Sequence, residues 1–351
     1  MSSISQLIRQ DLVNFKGYSS ARDEANGGKI WLNANELPWC HEDDKHLRIN
    51  RYPDKEPAHL LKRLAEMYQV HIDQIACARG SDEAIDLLMR LFCGAGKDAI
   101  IIFPPTFGMY NVYAALQGAE VIEVPLTPDY QLNLEALHKT WSPKVKLIFV
   151  CSPNNPTGNL MPEAEVISLC KAYAGKSMII VDEAYIEFSG TKSMARYIND
   201  YENLAVLRTL SKAYGLAGVR FGVLLAQKEL VAWIKNITAP YPLPAVTTHA
   251  VNVALSPERL ALLRPKIEEI KSERERVRAA LTPYVTKIYP STANFLLVKV
   301  TDADKVMRAA EAVGIIFRDM STKPGLEGCL RISIGSIEEN NAVISLLTSL
   351  G

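Results

Sequence analysis

The sequence predicts an α/β protein: a large domain with a mostly parallel sheet covered by helices on both faces, plus a smaller α+β domain. Two observations carry this. From about residue 76, short continuous apolar runs alternate with stretches of helical periodicity, and strands separated by helices belong to parallel sheets buried on both faces. After Ala239 the proline-rich joint APYPLPAV ends that rhythm, and helices then precede a few short strands. The expected division is an N-terminal arm over 1–50 that packs with the small domain, a large domain over 51–240, and a small domain over 241–351.

The arm reads as short polar pieces in which Tyr18, Arg22 and the run Ile30–Glu36 stand out, with Pro38 limiting that run to a short strand at most. Pro57–Gln69 reads as a helix, because Leu60, Leu61, Leu64 and Met67 recur at helical spacing. ARGSD then opens a helix over Asp82–Phe92. Strands are expected at Asp98–Phe103, Val121–Pro125, Lys146–Cys151, Ser177–Val181 and Asn203–Leu210, with helices at Phe107–Gln117 and Pro162–Ala174. Beyond the joint come helices at 246–255 and 257–281, the second expected to kink or divide at Pro265. Its charge-dense end, EEIKSERERVRAA, reads as a solvated face with i,i+4 pairs. A strand Phe295–Val300, a helix Asp302–Val313, short strands Ile315–Arg318 and Leu330–Ile334, and a helix Ile337–Leu347 complete the small domain.

Composition excludes several classes of function. Lys+Arg and Asp+Glu balance at 39 each over 351 residues, with no long basic run, so no nucleic-acid surface is expected. No apolar run reaches the ~18–20 residues of a membrane span, and MSSISQLIRQDLV is too polar for a signal peptide. The six cysteines contain no CxxC spacing, which suits a reducing cytoplasm. Cys40, His41 and His46 lack the spacing of a zinc site, so no metal is expected. CGAGKD precedes a strand instead of following one, which argues against a nucleotide loop.

The chemistry concentrates at strand ends. In TLSKAYGLAGVRFG, Lys212 sits among apolar residues and glycines with Arg220 as the only other charge. Most lysines are solvated surface charges, but an apolar site lowers a lysine's pKa and makes its amine a nucleophile toward carbonyls. Ser211 and Arg220 suit a phosphate, so the stretch points to a phosphorylated aldehyde such as pyridoxal 5'-phosphate. SPNNPTG, after the strand KLIFVC, is in part a tight turn, but it leaves the Asn155 amide free at a strand end. Asp182 closes the next strand, where a carboxylate needs a cation, and Tyr185 follows three residues on. These match the cofactor's needs. Lys212 would hold the aldehyde, Asp182 would keep the pyridine nitrogen protonated, and Asn155 and Tyr185 would serve the ring oxygen. Thr209, Ser211, Arg220 and the helix opening at Gly80, Ser81 and Asp82 would bind the phosphate, with Phe107 covering the ring.

The blocks WLNANE, NRYP, RGSDEAIDLL, PPTFGMY, CSPNNPTG, VDEAYIEF, TLSKAYGLAGVR and CLRISIG span nearly the whole chain. They resemble the fold type I pyridoxal-phosphate enzymes of the aspartate aminotransferase superfamily, and within it the histidinol-phosphate aminotransferase family. Phe107 stands where relatives often carry tyrosine. The resemblance implies transamination of L-histidinol phosphate with 2-oxoglutarate, giving imidazole-acetol phosphate and L-glutamate. It implies a homodimer in which Tyr52 reaches the cofactor phosphate of the other subunit. It also implies that Arg331 receives glutamate's carboxylate and the substrate phosphate in turn, helped by Arg318, with Tyr18 and Asn35 contributing from the arm. An O-phosphothreonine decarboxylase or an aromatic-amino-acid aminotransferase would share most cofactor residues. A cofactor-binding regulator would need a DNA-binding module, and none is expected before residue 50.

Overall fold

The structure, a computed structural model, describes residues 3–18, 20, 21 and 30–350; Arg22 lies outside them. Seven strands form the large sheet: β1 (Ile75–Ala78), β2 (Ala99–Ile102), β3 (Glu120–Glu123), β4 (Val145–Cys151), β5 (Met178–Asp182), β6 (Leu204–Thr209) and β7 (Gly222–Ala226). Their order is β1-β7-β6-β5-β4-β2-β3. Five strands from β3 to β6 pair in parallel, while β7 runs antiparallel to both β6 and β1. Successive residues along a strand face opposite sides. Ile148 and Ile179 thus join one apolar layer with Leu60 and Leu64, whereas Phe149 and Ile180 join the other with Leu88 and Phe92.

The small sheet has four antiparallel strands: β8 (Lys287–Ile288), β9 (Phe295–Lys299), β10 (Arg318–Asp319) and β11 (Cys329–Ser333), in the order β10-β11-β9-β8. Its core joins Leu296, Val298, Leu330 and Ile332 to Val277 and Leu281 of the long helix Pro257–Leu281.

Several expectations are corrected. Pro265 does not divide that helix, which is continuous over 25 residues. The carbonyl that loses its partner there, that of Ala261, belongs to an exposed turn where water can satisfy it. Ile30–Glu36 forms no strand: Ile30 and Leu32 are 82% and 86% exposed, and no sheet edge takes them up. The short strand expected at 315–318 is displaced to β10. The start of the arm, α1 (Ser3–Leu7), packs with the large sheet and not with the small one. Its Ile4 and Leu7, with Ile8, share a core with Leu88 and Phe92, and the Arg9 N–H donates to the Leu91 carbonyl at 3.0 Å. Sequence reasoning also passed over β7 and the helices Leu134–Thr140 and Lys228–Ile237.

Of the helices α2 (Ala58–Tyr68), α3 (Gly80–Phe92) and α4 (Met109–Gln117), α3 opens into the site with Ser81 and Asp82, and α4 carries Tyr110 against Asp182. The N-terminus of α3 is clamped against β7. A side chain at Gly222 would place its Cβ 2.5 Å from the Ser81 nitrogen and 2.6 Å from the Gly80 carbonyl carbon. Both are backbone atoms, and the Arg208 carbonyl oxygen of β6 would lie at 2.8 Å, so backbone on both sides would have to move to relieve the clash. Gly222→Ala should therefore cost about 1–3 kcal/mol of stability, read as a lower urea midpoint; an unchanged midpoint would show that the backbone of α3 and β6 is free to shift.

Candidate active site

The site lies along the carboxyl edge of the parallel strands, where such sheets bind ligands. Asp182 ends β5, Asn155 follows β4, Ser211 and Lys212 follow β6, and Ser81 and Asp82 open α3 after β1. Because β7 runs backward, Arg220 at its entrance arrives at the same edge; Thr209 and Gly222 are register partners. Arg220 itself takes a left-handed conformation (φ 53°). Ser81, Asp82, Phe107, Asn155, Asp182, Tyr185, Thr209, Ser211, Lys212 and Arg220 line one cavity.

Asp182 is 2% exposed. Its Oδ2 accepts from the Tyr110 hydroxyl at 2.9 Å, and its Oδ1 accepts from the Ala184 N–H at 3.1 Å. Burial pushes its pKa up to about 6, opposed by those two donors and by Lys212. Asn155 donates to the Tyr185 hydroxyl at 3.3 Å and accepts from Arg331 at 2.6 Å, which ties the large sheet to the small one. Burial drives the Tyr185 phenol well above its ordinary value, so it stays protonated.

Lys212 is open to the cavity, with its Nζ 5.7 Å from the centre of the Tyr185 ring. Its ammonium nonetheless titrates below the ordinary lysine value, first through desolvation by the cavity walls and then through the charge of Arg331; Asp82 and Asp182 oppose this. At the other end of the cavity, Arg220 reaches the Asp82 carboxylate at 2.8 Å and the Ser211 hydroxyl at 3.3 Å. The Thr209 hydroxyl is engaged with backbone, accepting from the Ser211 N–H at 3.2 Å.

Beside this cavity is a cleft of about 1100 Å³ that shares Phe107 and Asn155 with it. Arg331 and Arg318 both line the cleft and face each other as register partners on β11 and β10. Tyr52 and Asn35 do not join them: both line a separate hollow, where the Tyr52 ring stacks on Tyr241 at 4.3 Å. Tyr18 is 69% exposed and lines neither cavity.

Two features escaped sequence reasoning. Tyr110 touches Asp182, and its position three residues after Phe107 on the buried face of α4 was the available signal. Arg208, buried in β6, is held between Glu183 at 3.5 Å and Glu187 at 2.7 Å, over the ring of Tyr68. A charge at the centre of an apolar strand was the signal there.

The donor set fits pyridoxal phosphate: an amine, a buried carboxylate, a phenol with an amide, and an arginine with a hydroxyl beside a helix N-terminus. Comparison with known proteins agrees with the fold. The sequence pattern of the family "Aminotransferase class I and II" matches residues 30–347. The chain belongs to that family and is an aminotransferase. The histidinol-phosphate aminotransferase of Xanthomonas euvesicatoria pv. vesicatoria is 44% identical over 99% of this chain and 97% of its own length. That of Xylella fastidiosa is 41% identical over the same shares. The histidinol-phosphate aminotransferase of Sinorhizobium meliloti, solved in complex with pyridoxal-5'-phosphate, has a TM-score of 0.77 at 24% identity, covering 86% of this chain and 84% of that one. That likeness shows the fold.

The charge of Arg331 presses on Lys212, so Arg331→Ala should move the Lys212 pKa upward. The pH dependence of Lys212 labelling by an amine-reactive reagent, read by peptide mass spectrometry, measures it. An unmoved or lowered midpoint would contradict the electrostatic account.

Proposed function

We propose that this aminotransferase uses pyridoxal 5'-phosphate to exchange the amino group of L-histidinol phosphate with 2-oxoglutarate, giving imidazole-acetol phosphate and L-glutamate. The observation that carries the substrate is the full-length identity of 44% to a histidinol-phosphate aminotransferase. The paired Arg318 and Arg331 in the cleft beside Lys212 support it.

In this reading the Lys212 Nζ would hold the cofactor aldehyde. When bound, the cofactor withdraws electrons from the substrate carbon that gives up its proton. Nζ, its pKa lowered, would be the group able to accept that proton and to deliver it to the aldehyde-derived carbon on the far side of the transferred nitrogen. Asp182 keeps a proton on the ring nitrogen. Asn155 and Tyr185 hold the ring oxygen, and Phe107 covers the ring. Arg220, Ser211, Thr209 and the backbone at Ser81 and Asp82 receive the phosphate. The keto acid then takes up the amino group over the same residues, which is ping-pong chemistry.

Tyr52 acts across a homodimer, reaching the cofactor phosphate of the other subunit, while Tyr18 and Asn35 are the substrate contacts from the arm. Support comes from Tyr52, which lies apart from the Lys212 of its own chain, and from the exposed Ile30, Leu32, Leu37 and Trp39 of the arm. Mixing Lys212→Ala with Tyr52→Phe subunits should restore one intact site per heterodimer. Absence of recovery in verified heterodimers of two weak parents would count against sharing. The compartment is the cytoplasm, where the six unpaired cysteines stay reduced; cell fractionation tests this, and recovery outside the cytoplasm would contradict it. Among the described residues no helix is long and apolar enough to cross a membrane.

Both substrate anions use one pair of arginines, but phosphate carries more charge than carboxylate. Arg318→Ala should therefore weaken histidinol phosphate more than glutamate, and Arg331→Ala should damage both. Each charge-assisted contact is worth ~1.5–3 kcal/mol, roughly a ten- to hundredfold loss in kcat/KM. Measuring the two half-reactions separately, with product analysis, tests the whole reading. Carbon dioxide release from O-phosphothreonine, without amino transfer from histidinol phosphate, would replace it with a decarboxylase, and equal losses for both substrates in Arg318→Ala would remove the division of labour.

A further inference from the structure

Tyr110 is fully buried on α4, and one side chain there meets three others. Its hydroxyl donates to Asp182 Oδ2 at 2.9 Å. Its ring stacks on Phe149 of β4 with centroids 4.6 Å apart. The edge-to-face partner on its other side is Phe107, at 5.6 Å and 86°. Phe107 and Asp182 belong to different elements, and Tyr110 joins them.

We propose that Tyr110 is a positioning residue for the cofactor ring, orienting the Asp182 carboxylate with its hydroxyl and seating Phe107 with its ring. This rests on the reading that Asp182 faces the pyridine nitrogen and Phe107 covers the ring. Burial keeps the phenol protonated throughout the working range, so it donates to Asp182 at every relevant pH. With the Ala184 N–H it gives each carboxylate oxygen one fixed donor, which blocks rotation of the carboxylate plane. The charged or titratable groups coupled to Asp182 include Tyr110 itself, Cys151 of β4, Asp82 of α3, Lys212 and Tyr185. Of these, only Tyr110 donates a hydrogen bond to the carboxylate.

Tyr110→Phe removes the hydroxyl and keeps both ring contacts. A donor to the ionised form lowers a carboxyl pKa, so its loss should raise the Asp182 pKa in the apoprotein by about one unit, read by NMR of labelled aspartate carboxyls. The Kd for pyridoxal phosphate, from equilibrium dialysis, should rise roughly tenfold, one hydrogen bond to a charged group being at stake. In an Asp182→Asn background the same change should cost nothing further, because Tyr110 acts through the carboxylate. An unmoved Asp182 pKa in folded Tyr110→Phe, or an equal loss of affinity in both backgrounds, would overturn the proposal. If Tyr110→Phe does not fold, replacing tyrosine with 3-fluorotyrosine makes the phenol a stronger donor at almost unchanged volume. The Asp182 pKa should then fall, and a fixed value would overturn the proposal. Failure of the wild-type chain to bind pyridoxal phosphate would instead overturn the functional reading, and the carboxyl titration, made without cofactor, would then decide the role of the hydroxyl alone.

Discussion

A carboxylate at the end of a buried strand is the constraint around which the site is built. Asp182 is as deeply enclosed as the apolar residues before it in MIIVD, all of them buried. Such a group is costly unless donors and a cation compensate it. The fold supplies two donors, from Tyr110 and the Ala184 N–H, and they do not cancel the effect of burial, because the pKa remains raised to about 6. The carboxylate is poised for a cationic partner, and the proposed cofactor presents one in its pyridine nitrogen.

The topology explains how the remaining groups reach that carboxylate. Neighbouring parallel strands all end at one edge, so β4, β5 and β6 deliver Asn155, Asp182 and Lys212 without long loops. The reversed strand β7 solves a separate problem. An arginine eight residues beyond Lys212 would be carried away by another parallel crossover, whereas the β6–β7 hairpin returns Arg220 to the same edge. The tight approach at Gly222 then presses the N-terminus of α3 against that hairpin, so Ser81, Ser211 and Arg220 surround one end of the cavity. At the opposite end, Asn155 links Tyr185 to Arg331 of the small sheet.

Much of this was legible in the sequence because local signals and chemistry coincided. Continuous apolar runs ended at Cys151, near Asp182 and just before Lys212, and polar residues at the ends of buried strands are costly without a purpose. Lone signals were less informative. The segment Gly222–Ala226 is short and carries no turn signature after it, so its pairing with β6 depends on tertiary context. Tyr110 reads as an ordinary aromatic on a helix face, and only the fold aligns its hydroxyl with Asp182. Arg208 stands out as a charge in an apolar strand, but its partners, Glu183 and Glu187, come from elsewhere in the chain, so only the fold shows what holds it. Pro265 marked a break that an exposed helix tolerates. For the arm, spacing does not say which cavity a side chain lines, and Tyr52 and Asn35 lie in a hollow apart from Lys212.

The central claim is that the buried charge of Asp182 exists to hold the ring nitrogen protonated. Asp182→Asn retains the shape and removes the charge, so the most direct measurement is the single-turnover rate of the histidinol phosphate half-reaction in this variant loaded with pyridoxal phosphate. The account predicts a rate lowered by about two orders of magnitude or more, the scale of one preorganised electrostatic contact, with substrate binding little changed. A near wild-type rate would contradict it.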